Sequence, residues 1–120
     1  GLFPTSDTAD VTVDSSSFIA AGSTGDRYAL YVNQGTAKVY NSVLRAQGTG
    51  AGTLIGVFTG AGSTAKAQVE HSTIRGATNA LWRGATSTLQ VATSMVDGLI
   101  GGLPICIYSY DASLAAKSCP

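Results

Sequence analysis

Charge is scarce in this 120-residue chain: only 12% of its residues carry one, about half the share of an average soluble domain. The seven Lys+Arg balance the seven Asp+Glu. Without a basic surplus there is no counterion release to hold a polyanion, so nucleic acid is not the expected partner. Long apolar runs are also missing. The longest, Leu99 to Tyr108, is broken by Gly101, Gly102 and Pro104 and falls short of the roughly 18–20 residues that span a bilayer, so no membrane span is expected. His71 is the only histidine and has no cysteine near it, which leaves no zinc site; no metal or other cofactor is expected. Disorder is excluded as well, because 44% of the residues are hydrophobic and disorder needs low hydrophobicity with high net charge.

Small side chains are abundant. Ala, Gly, Ser and Thr make up nearly half the chain, a composition that opposes long helices and favours short strands, tight corners and close stacking. The length suits one domain, residues 1–120. Cys106 and Cys119 are the only cysteines. An even count in a Ser/Thr-rich chain of low charge points to a disulfide and an oxidising compartment; two free thiols, with Cys106 buried between Ile105 and Ile107, are the alternative. A bridge here closes a short loop and contributes roughly 3 kcal/mol on the chain-entropy estimate. A first residue of Gly1 fits a processed mature protein or a trimmed piece equally well.

The strongest signal is a repeat. Val13-Asp14-Ser15-Ser16-Ser17-Phe18, Val39-Tyr40-Asn41-Ser42-Val43-Leu44, Val69-Glu70-His71-Ser72-Thr73-Ile74 and Val91-Ala92-Thr93-Ser94-Met95-Val96 align, their leading valines 26, 30 and 22 residues apart. Self-similarity at that period marks a stack of units that bury one another's apolar faces. Thr36-Ala37-Lys38-Val39, Thr64-Ala65-Lys66-Ala67 and Thr88-Leu89-Gln90-Val91 lead into three of these blocks. Upstream lie short apolar runs, Ala29 to Val32, Leu54 to Phe58, Ala80 to Trp82 and finally Ile105 to Tyr108. Each unit therefore holds about three short strands, one per wall.

Side chains alternate along a strand. On the first wall Leu30, Val32, Ile55, Val57, Leu81, Ile105 and Ile107 are expected inside; on the second, Val39, Val69 and Val91; on the third, Ser42, Leu44, Ser72, Ile74, Ser94 and Val96, followed by Ala46 and Gly76. Ser15, Asn41, His71 and Thr93 occupy a sharp corner between the second and third walls, where Asn tolerates the left-handed conformation. An antiparallel sandwich needs turn dipeptides such as Asp-Gly, of which Asp97-Gly98 is the only one. A left-handed helix of hexapeptides needs a strict period of six, which is absent.

The pattern Val-x-Asn-Ser-x-hydrophobic with a small residue two on resembles the coils of right-handed parallel β-helix proteins, the pectate-lyase-like superfamily, over about residues 9–110. The ending, Cys106 to Ala112 with a second cysteine at Cys119, is similar to the closing segment of secreted bacterial β-helix proteins of unknown function. The resemblance implies an all-β right-handed parallel β-helix of about four coils: an N-terminal cap or arm at 1–9, repeats at 10–98, and a last strand with a disulfide-stapled cap at 99–120. Lyases of that superfamily use clustered acidic residues for calcium and a basic residue for proton abstraction. Those clusters are missing here.

Solenoids expose unpaired edges and core at both ends, and natural ones cap them. Gly1 to Ala9 and Gly98 to Pro120 are the expected caps, tied down on the chain itself or on a neighbouring one. The longest inserts, Ala20 to Asp26, Gln47 to Thr53 and Gly60 to Ser63, include Gly48-Thr49-Gly50-Ala51-Gly52. No Gly-Lys-Ser/Thr follows it, so it reads as a turn rather than a phosphate loop.

Few residues are placed to do chemistry. Glu70 and His71 are adjacent on a strand, so they point to opposite faces and His71 reads as a corner residue. The carboxylates are Asp7, Asp10, Asp14, Asp26, Glu70, Asp97 and Asp111; Asp14 and Glu70 fall two coils apart, about 9–10 Å, with Tyr40 between. An outward column on the third wall runs Ile19, Arg45, Arg75, Asp97, in which like charges stack unless neutralised; it reads as a surface salt-bridge ladder or an anion site. An outward column on the first wall runs Tyr31, Gly56, Trp82, Cys106, with Phe58, Arg83 and Tyr108 beside it, a platform for sugar rings or a patch that another protein covers. A shift in alternation turns Trp82 into core instead. The expected function is a non-catalytic, secreted or cell-surface structural or adhesion module that assembles with copies of itself, end to end or as a closed oligomer, or adheres to a target. The alternative is a carbohydrate-binding or polysaccharide-degrading β-helix protein. Candidate contacts are Tyr31, Trp82, Arg83, Arg45 and Arg75.

Overall fold

The structure, a computed structural model, describes residues 2–6, 8–60 and 64–119. Gly1, Asp7, Pro120 and the Ala61 to Ser63 part of the third insert lie outside the described residues. The fold is an all-β parallel solenoid, with no helix among the described residues. The second wall is a five-stranded sheet of β1 (Asp10–Asp14), β4 (Thr36–Tyr40), β7 (Lys66–Glu70), β10 (Thr88–Ala92) and β13 (Ile105–Ile107). The third wall holds β2 (Ser17–Ala20), β5 (Val43–Ala46), β8 (Thr73–Gly76) and β11 (Met95–Asp97). The first holds β3 (Arg27–Val32), β6 (Leu54–Thr59), β9 (Asn79–Arg83) and β12 (Ile100–Gly101). The chain makes about three full turns, and the fourth circuit tapers to a three-residue β11 and a two-residue β12. That is a little less than the four coils expected.

The repeat sets the register. Val13, Val39, Val69 and Val91 are successive partners in one parallel stack, all buried. Phe18, Leu44, Ile74 and Val96 stack on the third wall, and Leu30, Val57, Leu81 and Ile100 on the first. These columns form one continuous apolar core. The Thr64-Ala65-Lys66-Ala67 block is displaced by two residues, because Lys66, not Thr64, stands opposite Thr36.

The last apolar run belongs to a different wall from the one expected. Ile105 to Ile107 pairs with β10, placing Cys106 on Val91 at the end of the valine column. Ile105 and Ile107 are half exposed rather than inside. Cys106-Ile107-Tyr108-Ser109 is in fact a fifth copy of the Val-x-corner-Ser block. Its outward isoleucines imitate an inward alternation shifted by one, which hid it. The first-wall slot is taken by Ile100-Gly101.

Each corner between the second and third walls is built the same way. Ser15, Asn41, His71, Thr93 and Tyr108 all have φ between 46° and 53°, the left-handed region, which turns the chain from one wall to the next within a residue. The serine that follows turns inward. Its Oγ donates to the carbonyl two residues back, Ser42 to Tyr40 at 2.7 Å, Ser72 to Glu70 at 2.8 Å and Ser94 to Ala92 at 2.8 Å. The same Oγ accepts the amide of the serine one circuit earlier: Ser16 N–H to Ser42, Ser42 N–H to Ser72 and Ser72 N–H to Ser94, each at 3.1 Å. Ser94 N–H to Ser109 Oγ, at 3.4 Å, closes the series. Buried polar groups must be paired, and this ladder pairs them along the axis.

Both ends are tied to the chain's own body. Leu2 forms a parallel bridge with Leu30, its amide donating to Ala29 O and its carbonyl accepting from Tyr31 N–H. At the other end Tyr110 bridges Met95 in parallel and Ala116 in antiparallel sense. The reversal is shaped by Asp111, which accepts bonds from the Ser113 hydroxyl and the Ser113 and Ala115 amides. Cys119 then bonds Cys106, with Cα atoms 5.3 Å apart, and packs on the core. The valine column thus ends in sulfur covered by the returning tail.

Ser72→Ala removes an acceptor for the buried Ser42 amide and a donor to Glu70 O. A loss of about 2 kcal/mol is expected, since an orphaned buried donor costs about 1–3 kcal/mol, against less than about 0.5 kcal/mol for the neighbouring Thr73→Ala. Urea titration of both variants measures the difference.

Candidate functional site

The outward column of the first wall is aromatic. Partner by partner it runs Tyr31, Phe58, Trp82, Gly101. The expected Gly56 and Cys106 are not in it: Gly56 is buried near the start of β6, beside the Arg75 and Ala80 carbonyls and the Ile74 side chain, and Cys106 lies inside the second wall. Two further rings, Phe3 and Tyr28, join the column. Phe3 meets Tyr31 at 4.5 Å and 72°, Tyr28 meets Tyr31 at 5.0 Å and 81°, and Phe58 lies 4.7 Å from Tyr31 and 5.3 Å from Tyr28. These are edge-on or tilted contacts, the favourable arrangement for aromatic quadrupoles. The rings therefore pack on one another instead of forming a flat shelf. Trp82 points outward and is 41% exposed, and its six-membered ring lies so close over Gly101 that a Cβ there would collide with it.

Arg83, next in sequence, does not flank Trp82 on the outer face. It stands opposite Thr59, and its Nε donates to Gly102 O at 2.6 Å and its Nη1 to Ser87 O at 2.8 Å. The guanidinium thus ties β9 to the chain that crosses to β13. Arg27 has a similar role that sequence reasoning missed. It is buried and donates to the carbonyls of Gly25, Gly22, Thr49 and Ala51. The glycine-rich inserts Ala20 to Asp26 and Gln47 to Thr53 are organised around it. The available signal was an arginine opening an apolar run between two loops rich in unpaired carbonyls.

On the third wall Ile19, Arg45, Arg75 and Asp97 are in register as expected. Arg75 Nε lies 3.0 Å from Asp97 Oδ2 with both side chains 41% exposed, an ion pair whose alignment falls short of a hydrogen bond. At that exposure it contributes little. Arg45 Nε is buried without a hydrogen-bond partner. Arg45, Arg75 and Asp97 line an open groove of about 490 Å³ with the backbone of Gly48, Gly76 and Gly98. Arg45 and Arg75 are thus together, while Tyr31 and Trp82 share another wall with Phe58 between them.

The carboxylates are held singly. Asp14, Tyr40 and Glu70 form one column, and the Asn41 amide bonds Asp14 at 3.1 Å. That bond, followed by one from the Ser15 hydroxyl, holds Asp14 below the ordinary aspartate value of 3.8. The Thr53 amide lowers Asp26 in the same way. Asp111 is lowered first by the Ser113 hydroxyl and then by the Ala115 and Ser113 amides. His71 is an exposed corner residue. Among the described residues no three His, Cys, Asp or Glu side chains converge on a common point.

No protein-family model, curated protein or solved structure matches this chain.

The three lowered aspartates set a pH response. A carboxyl whose folded value lies below its unfolded one contributes stability that is fully present above the unfolded value and lost as pH falls through the folded one. Stability measured by urea titration is therefore expected to hold down to about pH 5 and to fall below about pH 4. Asp111→Asn, which has no proton to take up, is expected to fall less over the same range.

Proposed function

We propose that this chain is a non-catalytic structural module, at the cell surface or secreted, that works by offering contact surfaces on a rigid solenoid. The observation that carries this reading is the internal occupation of most of the candidate contact residues. Arg83 is bonded to three carbonyls of its own chain, Arg75 faces Asp97, and Tyr31 is surrounded by Phe3, Tyr28 and Phe58. Functional groups at a reaction centre are ordinarily aimed at a space where a substrate sits. Here they are aimed at the neighbouring coil. The Cys106–Cys119 bridge is compatible with an oxidising compartment. Kinship with pectate-lyase-like β-helix proteins is proposed on the Val-x-Asn-Ser block alone and extends to architecture, not to lyase chemistry.

A second reading has one observation in its favour. Trp82 is a half-exposed indole on a regular wall, a surface on which a sugar ring can stack. Arg45 is on a different wall and does not complete that contact.

An array of neutral and acidic oligosaccharides separates the two. The structural reading expects no specific glycan, and the same background for wild type and Trp82→Ala. A glycan bound with submillimolar affinity, weakened about tenfold or more by Trp82→Ala, about 1.4 kcal/mol, contradicts it and establishes the second.

A further inference from the structure

We infer that the groove on the third wall around Arg45 is a docking site for an acidic peptide segment of a partner protein, one of whose carboxylates takes the Arg45 guanidinium. This site rests on the surface-contact reading above and names both a surface and the chemistry that covers it. Of the four arginines, three are occupied. Arg27 and Arg83 donate to backbone carbonyls, and Arg75 faces Asp97. Arg45 is the exception. Among the described residues no hydrogen bond or ion pair involves it, and its Nε is shut from solvent without an acceptor. An enclosed donor without a partner is rare in a folded chain.

The occupant follows from charge complementarity. The neighbours of Arg45 in its column are Arg75 and Ile19, a like charge and an aliphatic side chain, so neither supplies an acceptor. Stacked like charges are unfavourable unless neutralised, and Asp97 alone leaves the two arginines with one positive charge over. One further carboxylate balances it, and the planar guanidinium fork matches that group. Asp97 shows the mode, a carboxylate of the adjacent strand held 3.0 Å from Arg75 Nε. The groove, about 490 Å³, runs across three circuits from Arg45 to Asp97, and Gly48, Gly76 and Gly98 line it. Glycine lets another backbone approach closely. None of the described residues lining it is aromatic, so a sugar ring has nothing to stack on. A surplus of one charge is too small to hold a nucleic acid.

Titration of the isotope-labelled full chain with a blocked peptide of alternating glycine and glutamate, followed through the arginine Nε–H signals by NMR, tests this. A saturable shift of the Arg45 signal with a millimolar Kd is expected, and none with the glutamine counterpart of the peptide. Arg45→Gln is expected to weaken binding about tenfold or more without lowering stability to urea, since Arg45 bonds to nothing in its own chain. Asp97→Asn is expected to tighten binding several-fold, because it frees Arg75 and removes a competing carboxylate. Lys66→Gln, on the second wall, is expected to change nothing. The absence of a saturable shift, equal shifts with both peptides, or binding that Arg45→Gln and Asp97→Asn leave unchanged overturns the inference. So does methyl glucuronide filling the site where the peptide does not. Trp82-dependent glycan binding by a chain that still holds the peptide at Arg45 overturns the structural reading alone, so the two failures are distinguishable.

Discussion

The fold depends on a corner that is solved five times in the same way. After each strand of the second wall one residue adopts the left-handed conformation, and the next, always serine, turns inward. A sharp corner leaves backbone groups inside the solenoid, where an unpaired polar group costs about 1–3 kcal/mol. The serine oxygen meets that requirement in two directions: it donates to its own strand's carbonyl and accepts from the amide of the circuit before. No apolar residue can do both. The apolar columns supply the driving force for stacking, and the serines fix where each circuit must sit on the last.

With the corner constrained, the remainder of a circuit is free to vary. Intervals of 26, 30 and 22 residues are absorbed in the segments between the third and first walls and between the first and second, outside the corner. These segments need their own organisation, because glycine-rich chain carries carbonyls without side chains to satisfy them. Arg27 supplies donors to the loops of the first two circuits and Arg83 to the last crossing. Both arginines therefore serve the architecture. The same economy of polar groups runs through Asp14, Asp26 and Asp111, each holding a turn or loop rather than facing a shared space.

Much of this was legible in the sequence, for a physical reason: the valine, serine and aliphatic columns repeat because stacked neighbours need identical shapes. The register of Val39, Val69 and Val91 and of Arg45, Arg75 and Asp97 could be read directly. Ile105 to Tyr108 misled because an edge strand has one exposed flank, so its alternation no longer reports the interior. The aromatic column was off by two residues at Gly56, because Leu54 to Val57 are all buried at the start of β6 and no alternation there tells which outward position meets Tyr31. Arg27 left no periodic trace at all, since its partners are backbone carbonyls in loops of different length.

Cys106 takes a valine position, and its bridge to Cys119 draws the returning tail over the last interior row. The claim beneath all of this is that the serine ladder holds the circuits together, and native-state amide hydrogen exchange tests it most directly. The amides of Ser42 and Ser72 are predicted to exchange only through global unfolding. Exchange at those two positions as fast as in the exposed glycine loop at 48–52 would contradict the account.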